Sequence, residues 1–368
     1  MTDSEDQYQL RWFNPDDLAG FLDMYDEAFG GGSEAWFDWK YRETPYVSHV
    51  PVLVADAGGE LAGARPQVPF RMRAGGEETL ALRFGDTMVH PDHRRRGVFS
   101  RLTGRALDHY RDMAPRFCFN CPNDLSRPGF LKAGGEEVAT LPSYYRIQDP
   151  AALAGDREGA LGRLAGSVAG PVARAYARRC DRRASVPDDA RVLRHADVPV
   201  GLLSRLYGRA VPAGVHAVRD EAFLEWRYRN PMWDYTVYSA EVAGETAAAL
   251  VTGTATEGGV TTANLVDVYP LAGGRDRRAG LRALLSGVLP ELSDADIVAH
   301  SGDTIPPSLL RERGFLPDTA PPLSAVASPT GLVAYDLGGP DETPWSAGGV
   351  SLRDPNGWAL SYAELDAR

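Results

Sequence analysis

One stretch of the sequence decides the fold: Met88-Val89-His90-Pro91-Asp92-His93-Arg94-Arg95-Arg96-Gly97-Val98-Phe99-Ser100-Arg101-Leu102. A largely apolar run, 81–89, leads into it, and apolar residues recur at helical spacing after the basic turn. The pattern predicts a strand over residues 76–90, a tight turn and the N-terminus of a helix. Because backbone N–H groups point outward there and the helix dipole favours anions, the stretch predicts a pyrophosphate site.

Three consecutive arginines, Arg94 to Arg96, stand beside the turn glycine Gly97. Charges this close repel one another, and an anionic ligand would relieve the repulsion. The alternative is an ordinary strand–helix turn with solvated arginines. The pattern resembles motif A of the GNAT superfamily of acyl-CoA-dependent N-acetyltransferases, Arg/Gln-x-x-Gly-x-Gly/Ala after a strand ending in Val-x-Pro. Arg94-x-x-Gly97-x-Phe99 fits it except for the bulky last residue.

The resemblance implies an acetyl-CoA site on this turn, with the coenzyme as co-substrate and no metal. Backbone groups of the strand would pair with the pantetheine arm, and amides of the turn would hold the pyrophosphate. The coenzyme-binding residues implied within motif A are Met88, Val89, Arg94, Arg95, Arg96, Gly97, Val98, Phe99 and Ser100.

A second part of the family's pattern, Asn-x-x-(Ala/Ser)-x-x-x-Tyr-x-Lys-x-Gly-Phe, follows a strand predicted at residues 116–121. Asn123, Ser126 and Phe130 stand at its Asn, Ala/Ser and Tyr positions. The resemblance implies that these residues line the pantetheine arm. The family's Tyr often protonates the departing thiolate, which a phenyl ring cannot do. The alternatives for the proton donor are Ser126, Tyr144, Tyr145 and water.

Direct attack by an amine requires a base, because a primary alkylamine has a pKa of about 10 in water. Asp86 is the first candidate and His90 the second. With Met88 they share one face of the predicted strand by period two, so both side chains would face the acceptor cleft. The alternatives are a buried structural carboxylate and a solvated strand-end histidine. The predicted catalytic residues are therefore Asp86, His90 and Ser126.

The chain repeats itself at offsets between 179 (Val89 to Val268) and 187 (Trp39 to Trp226). The matching pairs, in order, are 35–42 with 222–229, 55–60 with 240–245, 89–91 with 268–270, and 132–135 with 312–315. Four ordered matches indicate two copies of one fold. In the second copy the turn before Arg277-x-x-Gly280 is longer, which favours a structural or substrate-lining role over a second active site.

These features predict an α+β (mixed α/β) fold of two tandem GNAT-like domains, each a mixed, largely antiparallel sheet flanked by helices. The predicted boundaries are 1–150 for the coenzyme-binding domain, 151–190 for a helical linker, 191–340 for the degenerate copy and 341–368 for a tail.

Two segments leave alternatives open. Trp39 and Tyr41 are the predicted substrate-lining residues, but Trp226 and Tyr228 recur in the degenerate copy, which favours packing for both pairs. The linker carries an apolar helical stripe, kinked at Gly170-Pro171, that predicts a strap across the domains or an interfacial membrane helix. The stripe comprises Leu161, Leu164, Val168, Val172, Tyr176 and Cys180.

Composition sets the remaining limits. The 368 residues suffice for two domains, and the net charge of −11 argues against general nucleic-acid binding. Three cysteines give no disulfide framework, and the Cys118-x-x-Cys121 spacing favours a core position over a metal site. No signal peptide or membrane span is visible, so we expect a cytoplasmic protein.

The sequence therefore predicts an N-acetyltransferase that moves an acetyl group from acetyl-CoA to an amine, either a small molecule or an amino sugar. Two other classes stay open. One is a non-catalytic acyl-CoA-binding or sensor protein, which Phe130 favours. The other is an aminoacyl transferase on the same duplicated fold.

Overall fold

The computed structural model describes residues 7–111, 113, 115–124, 126–149, 170–325, 327 and 329–365. Two mixed sheets, each flanked by helices, carry most of the described chain. The strands are β1 Gln9–Trp12, β2 Val52–Asp56, β3 Leu61–Ala74, β4 Glu77–Phe84, β5 Met88–Val89, β6 Pro115–Asn120, β7 Glu136–Leu141, β8 Ser143–Ile147, β9 Arg191–His195, β10 His216–Ala217, β11 Asp234–Val242, β12 Glu245–Glu257, β13 Val260–Tyr269, β14 Ile297–Ser301, β15 Leu316–Pro317, β16 Thr330–Asp336, β17 Ser346–Ala347 and β18 Val350–Ser351.

The helices pack on the faces of these sheets. They are α1 Leu18–Phe29, α2 Glu34–Phe37, α3 Val98–Arg111, α4 Arg127–Lys132, α5 Gly170–Arg183, α6 Val200–Arg209, α7 Glu221–Arg227, α8 Arg275–Glu291, α9 Pro307–Glu312 and α10 Tyr362–Leu365. A π-helical turn, Asp38–Arg42, extends α2. The chain leaves α1 at Gly30, whose φ of 73° allows the sharp turn that ends the helix.

The first sheet has the order β1-β2-β3-β4-β6-β16-β7, and β5 and β10 also pair with β3. Strands β4 and β6 are parallel, and the other pairs of this sheet are antiparallel. Strands β2 and β3 form a hairpin around Gly58-Gly59, and β3 continues to Ala74. Helix α3 covers one face of this sheet, and α1 and α2 lie on the other.

The second sheet has the order β15-β8-β14-β13-β12-β11-β9. Its one parallel pair among the described strands is β13 with β14, which corresponds to β4 with β6 in the first sheet. Helix α8 lies across β11 and β12, as α3 lies across β2 and β3. The second half of the chain therefore repeats the layout of the first.

The two sheets exchange a strand each. Strand β8 follows β7 in sequence, yet it pairs with β14 and β15 in the second sheet. Strand β16 comes from the far end of the chain and lies between β6 and β7 in the first sheet. The predicted division at residue 150 would assign β8 to the first domain, whereas its hydrogen bonds tie it to the second sheet.

The repeated Trp-(Lys/Arg)-Tyr motif joins the two halves. The indole N–H of Trp39 donates to the Trp226 carbonyl at 2.7 Å, and that of Trp226 donates to the Trp39 carbonyl at 2.7 Å. The two rings stack with centroids 5.6 Å apart. Both side chains are buried. Such reciprocal bonds are what a local two-fold relation between two copies of one motif produces.

The linker and the tail both pack onto the body. Helix α5 begins at Gly170, where the predicted kink lies, and its Asp181 accepts two bonds from Arg146 of β8 at 2.8 and 2.7 Å. Leu161, Leu164 and Val168 of the predicted stripe lie outside the described residues, whereas Tyr176 is exposed and Ala177 is buried. Among the described residues no helix is long and apolar enough to cross a bilayer.

The predicted tail is anchored by a buried charge cluster. Arg219 donates to Asp267 at 2.7 Å and to Glu364 of α10 at 2.6 Å, and all three side chains are fully buried. Trp358 is buried in the same core as Trp39 and Trp226. The last described residues therefore belong to the packed structure.

Candidate functional site

The candidate site lies where the first sheet opens between its two parallel strands. Strands β4 and β6 pair as far as Arg83 and Phe119. After Phe84 the chain breaks away, and β5 pairs with β3 at Gly63 and Ala64 instead of following β6. We call the resulting gap between β5 and the end of β6 the splay. Among the described strands, β5 is therefore paired along one edge only, with β3.

Beside the splay, the three elements β3, β5 and α3 approach one another closely. A Cβ on Gly63 would lie 2.9 Å from the Met88 carbonyl oxygen and 2.9 Å from a methyl of Val98. Only glycine leaves room for β5 and the first turn of α3 to sit directly on β3. This close packing fixes β5 and α3 relative to each other.

Residues 91–97, the motif A turn, connect β5 to α3. Pro91–His93 form a short 3-10 turn, and the three arginines that follow are exposed. Arg95 and Gly97 have φ of 63° and 78°, left-handed values that turn the chain sharply into α3. A Cβ on Gly97 would meet no atom within 4 Å, so the space beside this glycine is open. An exposed basic turn at the N-terminus of a 14-residue helix suits a phosphate ligand.

Asn123 and Ser126 lie beyond β6, where the chain enters α4. The side-chain oxygen of Asn123 accepts the Ser126 amide at 2.9 Å and the Ser126 hydroxyl at 2.9 Å. The hydroxyl that was predicted to act in catalysis is thus used to hold the turn before α4. Tyr144 and Tyr145, the other proposed donors, lie on β8 in the second sheet.

Phe99 and Phe130, the two departures from the family pattern, pack against each other. Their rings are perpendicular with centroids 5.4 Å apart. Gly129 makes room for this pair, since a Cβ there would lie 2.8 Å from the Phe99 ring. Tyr335 of β16 donates to the Phe130 carbonyl at 2.8 Å and so holds α4 on the sheet. Sequence reasoning missed Tyr335, because it comes from the far end of the chain.

Asp86 lies at the strand break, with φ of 47°. Its Oδ2 accepts hydrogen bonds from Lys40 and, at 2.7 Å, from the Tyr41 hydroxyl. The side chain of Lys40 is 1% exposed and that of Asp86 is 13% exposed. Burial raises the pKa of Asp86, but Lys40 and Tyr41 together lower it below its ordinary value. A non-glycine residue held in a left-handed conformation at a cleft is a frequent mark of function.

The prediction that Asp86, Met88 and His90 share one strand face is wrong. Period two requires a continuous pleat, and the break at residues 85–87 removes it. Met88 is buried, and His90 caps the 3-10 turn by accepting the Asp92 amide at 3.4 Å. His90 instead lines a groove of about 450 Å³ together with His93 and the carboxylates of Asp23 and Glu60.

The structure places the predicted substrate-lining residues inside the protein. Trp39 is bonded to Trp226 between the two halves, and Tyr41 is fully buried with its hydroxyl on Asp86. The packing alternative accounts for Trp39. Tyr41 and Lys40 contribute to the site indirectly, through the carboxylate they hold. Lys40 was missed because 46 residues separate it from Asp86.

The corresponding turn of the second copy, residues 270–280, has a different arrangement. Arg277 is buried, and its guanidinium donates to the Pro270 carbonyl at 2.6 Å and to the Thr304 carbonyl. These carbonyls follow β13 and β14, the pair that matches β4 and β6. Burial lowers the pKa of Arg277 to about 10. The guanidinium therefore bridges the gap that is open in the first copy.

The cysteines have no ligand arrangement around them. Cys118 is buried in β6, and burial raises the pKa of its thiol and that of Cys121. Within the described part of the chain, no group of three or more His, Cys, Asp or Glu side chains could hold a metal ion.

Comparison with protein families gives a match to the segment that carries this site. Residues 9–139 match the family described as acetyltransferase (GNAT) domain. This segment is therefore similar to a GNAT domain. Such a domain supports acyl transfer in general. None of the curated proteins compared with the chain matches it significantly in sequence.

Solved structures extend the likeness to both halves. The chain is similar to a GCN5-related N-acetyltransferase from Anabaena variabilis (TM-score 0.60, 10% identity, 90% of this chain and 73% of that one). It is also similar to a probable N-acyltransferase from Enterococcus faecalis (0.62, 12%, 90% and 72%). A tandem GNAT protein from the clavulanic acid biosynthesis pathway is matched over its whole length (0.54, 16%, 91% and 100%). The chain thus has a tandem GNAT fold.

Proposed function

We propose that the protein is an N-acetyltransferase that uses acetyl-CoA in its N-terminal domain and acylates an amine, a small molecule or an amino sugar. The open motif A turn carries this proposal. Three exposed arginines, the free space beside Gly97 and the start of α3 fit a pyrophosphate, and the splay fits the pantetheine arm. When bound, the coenzyme would supply a thioester to be attacked.

The chain's own residues supply a charged partner for the amine. Because Lys40 and Tyr41 lower its pKa, Asp86 stays ionised at neutral pH. Both of these bonds reach Oδ2. An ionised carboxylate at the splay orients an amine and takes its proton as the nitrogen loses basicity during amide formation. His90 is the second candidate for this role.

A non-catalytic acyl-CoA-binding protein is the second candidate function. The observation that favours it is that Phe130 has no proton to donate and the Ser126 hydroxyl is bonded to Asn123. In both candidate functions the C-terminal half supports the first domain and has no coenzyme site of its own, because Arg277 bridges the gap between β13 and β14.

Calorimetric titration with acetyl-CoA tests the proposal. We expect one site per chain, and loss of binding of 100-fold or more in an Arg96→Glu/Gly97→Asp variant. The matched control is Gly274→Asp/Arg275→Glu, which makes the same changes in the second turn and should bind as wild type does. Two sites per chain would contradict the assignment of the second copy.

Thiol release with a panel of amines then separates the two candidate functions. Turnover that Asp86→Asn abolishes supports the acetyltransferase. Tight binding of acetyl-CoA without turnover on any amine supports the sensor.

A further inference from the structure

Arg65 of β3 is a buried cation without a buried anion. Its side chain is fully buried, and among the described residues no carboxylate forms an ion pair with it. Its Nη1 donates to the Thr87 hydroxyl at 2.6 Å, and among the described residues its Nε and Nη2 have no hydrogen-bond partner. Burial lowers its pKa to about 10. Burying an unpaired guanidinium is energetically unfavourable unless an anion neutralises its charge.

The surroundings of Arg65 are aromatic. Its guanidinium carbon lies 4.0 Å from the ring centroid of Phe84, 4.8 Å from that of Phe130 and 5.6 Å from that of Phe99. Phe99 and Phe130 are the two positions at which the chain departs from the GNAT pattern. The rings hold the guanidinium in place but supply no hydrogen-bond acceptor for Nε and Nη2.

The position of Arg65 places this charge at the splay. Arg65 pairs with Leu53 on one side of β3, and on the other side it lies opposite the break between β4 and β5. Thr87, which it contacts, directly precedes the Met88–Val89 edge. The guanidinium therefore lies next to the break between β4 and β5, beside Phe130 at the position of the family's proton donor.

We infer that Arg65, with Thr87, stabilises the coenzyme's sulfur as a thiolate, so that this chain replaces protonation of the leaving group by electrostatic stabilisation. This inference rests on the proposed acetyl-CoA site. In the transfer the amine nitrogen forms a bond to the acyl carbon, the carbon–sulfur bond breaks and its electron pair stays on sulfur. The nitrogen's proton goes to Asp86 or water, and the guanidinium keeps its protons. A preorganised cation in a dry site is well suited to a charge that develops during reaction.

Proton release on binding of free CoA tests the inference without any acceptor. A free thiol has a pKa of about 8.5, and one beside a cation falls to about 3.5–7.5, so CoA should ionise as it binds at pH 7. Calorimetry in buffers of different ionisation enthalpy should give close to one proton released per CoA bound to wild type. Desulfo-CoA should bind and release none.

Variants then assign the effect to Arg65. In Arg65→Met we expect no proton release and a loss of CoA affinity of tenfold or more, with the affinity for desulfo-CoA unchanged within twofold. Arg65→Lys should retain part of the release. Arg71→Met, a change at an exposed arginine of the same strand, should behave as wild type.

Each outcome decides something. Desulfo-CoA binding by wild type with no proton release from CoA would overturn the inference and leave the coenzyme site intact, even if Arg65→Met failed to fold. If neither CoA nor desulfo-CoA bound, both the proposed coenzyme site and this inference would be overturned. A third outcome would also overturn it: if Arg65→Met lowered the affinity for succinyl-CoA much more than the affinity for CoA, the guanidinium would be assigned to an acyl carboxylate.

Discussion

The motif A turn and the turn at residues 270–280 occupy matching places in two copies of one fold, and the arginine of the Arg-x-x-Gly pattern is exposed in the first and buried in the second. In the first copy the three arginines are exposed around an open glycine. In the second, Arg277 is buried and bonded to two carbonyls across the gap. The same Arg-x-x-Gly pattern thus lies in an exposed turn in one setting and forms a structural crosslink in the other. Burial, which the pattern does not encode, decides between them.

The carboxylates of the two copies differ in the same way. Asp86 keeps some contact with solvent and is held by Lys40 and Tyr41. Asp267 is sealed with Arg219 and Glu364, and Tyr228 and Tyr269 lie against it. The carboxylate of the second copy is therefore fully buried, whereas that of the first copy keeps some exposure to solvent. Four predictions test this contrast, beginning with the largest expected effect.

Arg219→Met should lower the free energy of unfolding by about 3–5 kcal/mol, because it leaves two carboxylates buried without their cation. Lys40→Met, the matched change in the first copy, should cost less, since Asp86 retains Tyr41 and some solvent. Urea denaturation of both variants provides the measurement. Equal losses of unfolding free energy in the two variants would show that the two charge clusters contribute equally to stability, which would contradict the contrast between a buried and a partly exposed cluster.

Arg277→Met should lower the free energy of unfolding by about 2–4 kcal/mol, because two carbonyls lose their donor. Arg95→Met, in the motif A turn, should change it by less than about 0.5 kcal/mol. The same denaturation experiment measures both. A stability loss confined to Arg95→Met would reverse the roles assigned to the two turns.

The two turn glycines should separate binding from packing. A Cβ on Gly280 would lie 2.9 Å from the Ala248 Cβ, so Gly280→Ala should cost about 1–3 kcal/mol and leave acetyl-CoA affinity unchanged. In Gly97→Ala the added Cβ meets no atom within 4 Å, but alanine must adopt a φ of 78°. This strain should lower the free energy of unfolding by about 1 kcal/mol. Because that strain turns the anion-binding amides, we also expect about a tenfold loss of acetyl-CoA affinity. Denaturation and calorimetry on both variants check the split.

The smallest effect concerns pH. Since the folded pKa of Asp86 is lowered, its contribution to stability is complete above the unfolded value of about 3.9 and is lost as the pH falls through the folded pKa. The difference in unfolding free energy between wild type and Asp86→Asn should therefore be constant from pH 5 to 8 and shrink below pH 4. The rate of acetyl transfer should show no acidic limb from Asp86 in the range 5–8. Such a limb would implicate an imidazole, and His90 would replace Asp86 as the base.

Sequence reasoning reached the features that local patterns control. The helix that begins after the basic turn and the duplication both follow from spacing and turn chemistry. The break before β5 did not follow, because period two assumes an unbroken pleat and nothing in the sequence marks Asp86 as left-handed. Arg65 looked like an ordinary strand residue, and its lack of a carboxylate partner becomes visible only when the neighbours of β3 are known.

The strand exchange was beyond sequence reasoning for a related reason. Strands β8 and β16 have the composition of any interior strand, and which sheet each joins depends on pairing over long sequence distances. A division at residue 150 follows naturally from the repeat, but the hydrogen bonds of β8 and β16 cross it.

The position of β16 near the end of the chain also determines when the first sheet can be completed during translation. Strand β6, one wall of the splay, pairs with β16 at Asn120 and Phe119, and Tyr335 of the same strand holds α4. A ribosome adds about 5–20 residues per second, so about 10 to 40 s pass between the synthesis of β7 and that of β16. Throughout that interval the edges of β6 and β7 are unpaired and available to chaperones or to other nascent chains. The first sheet is thus completed only after translation has reached residue 330, and a chain that ended before that residue would lack the strand that pairs with β6.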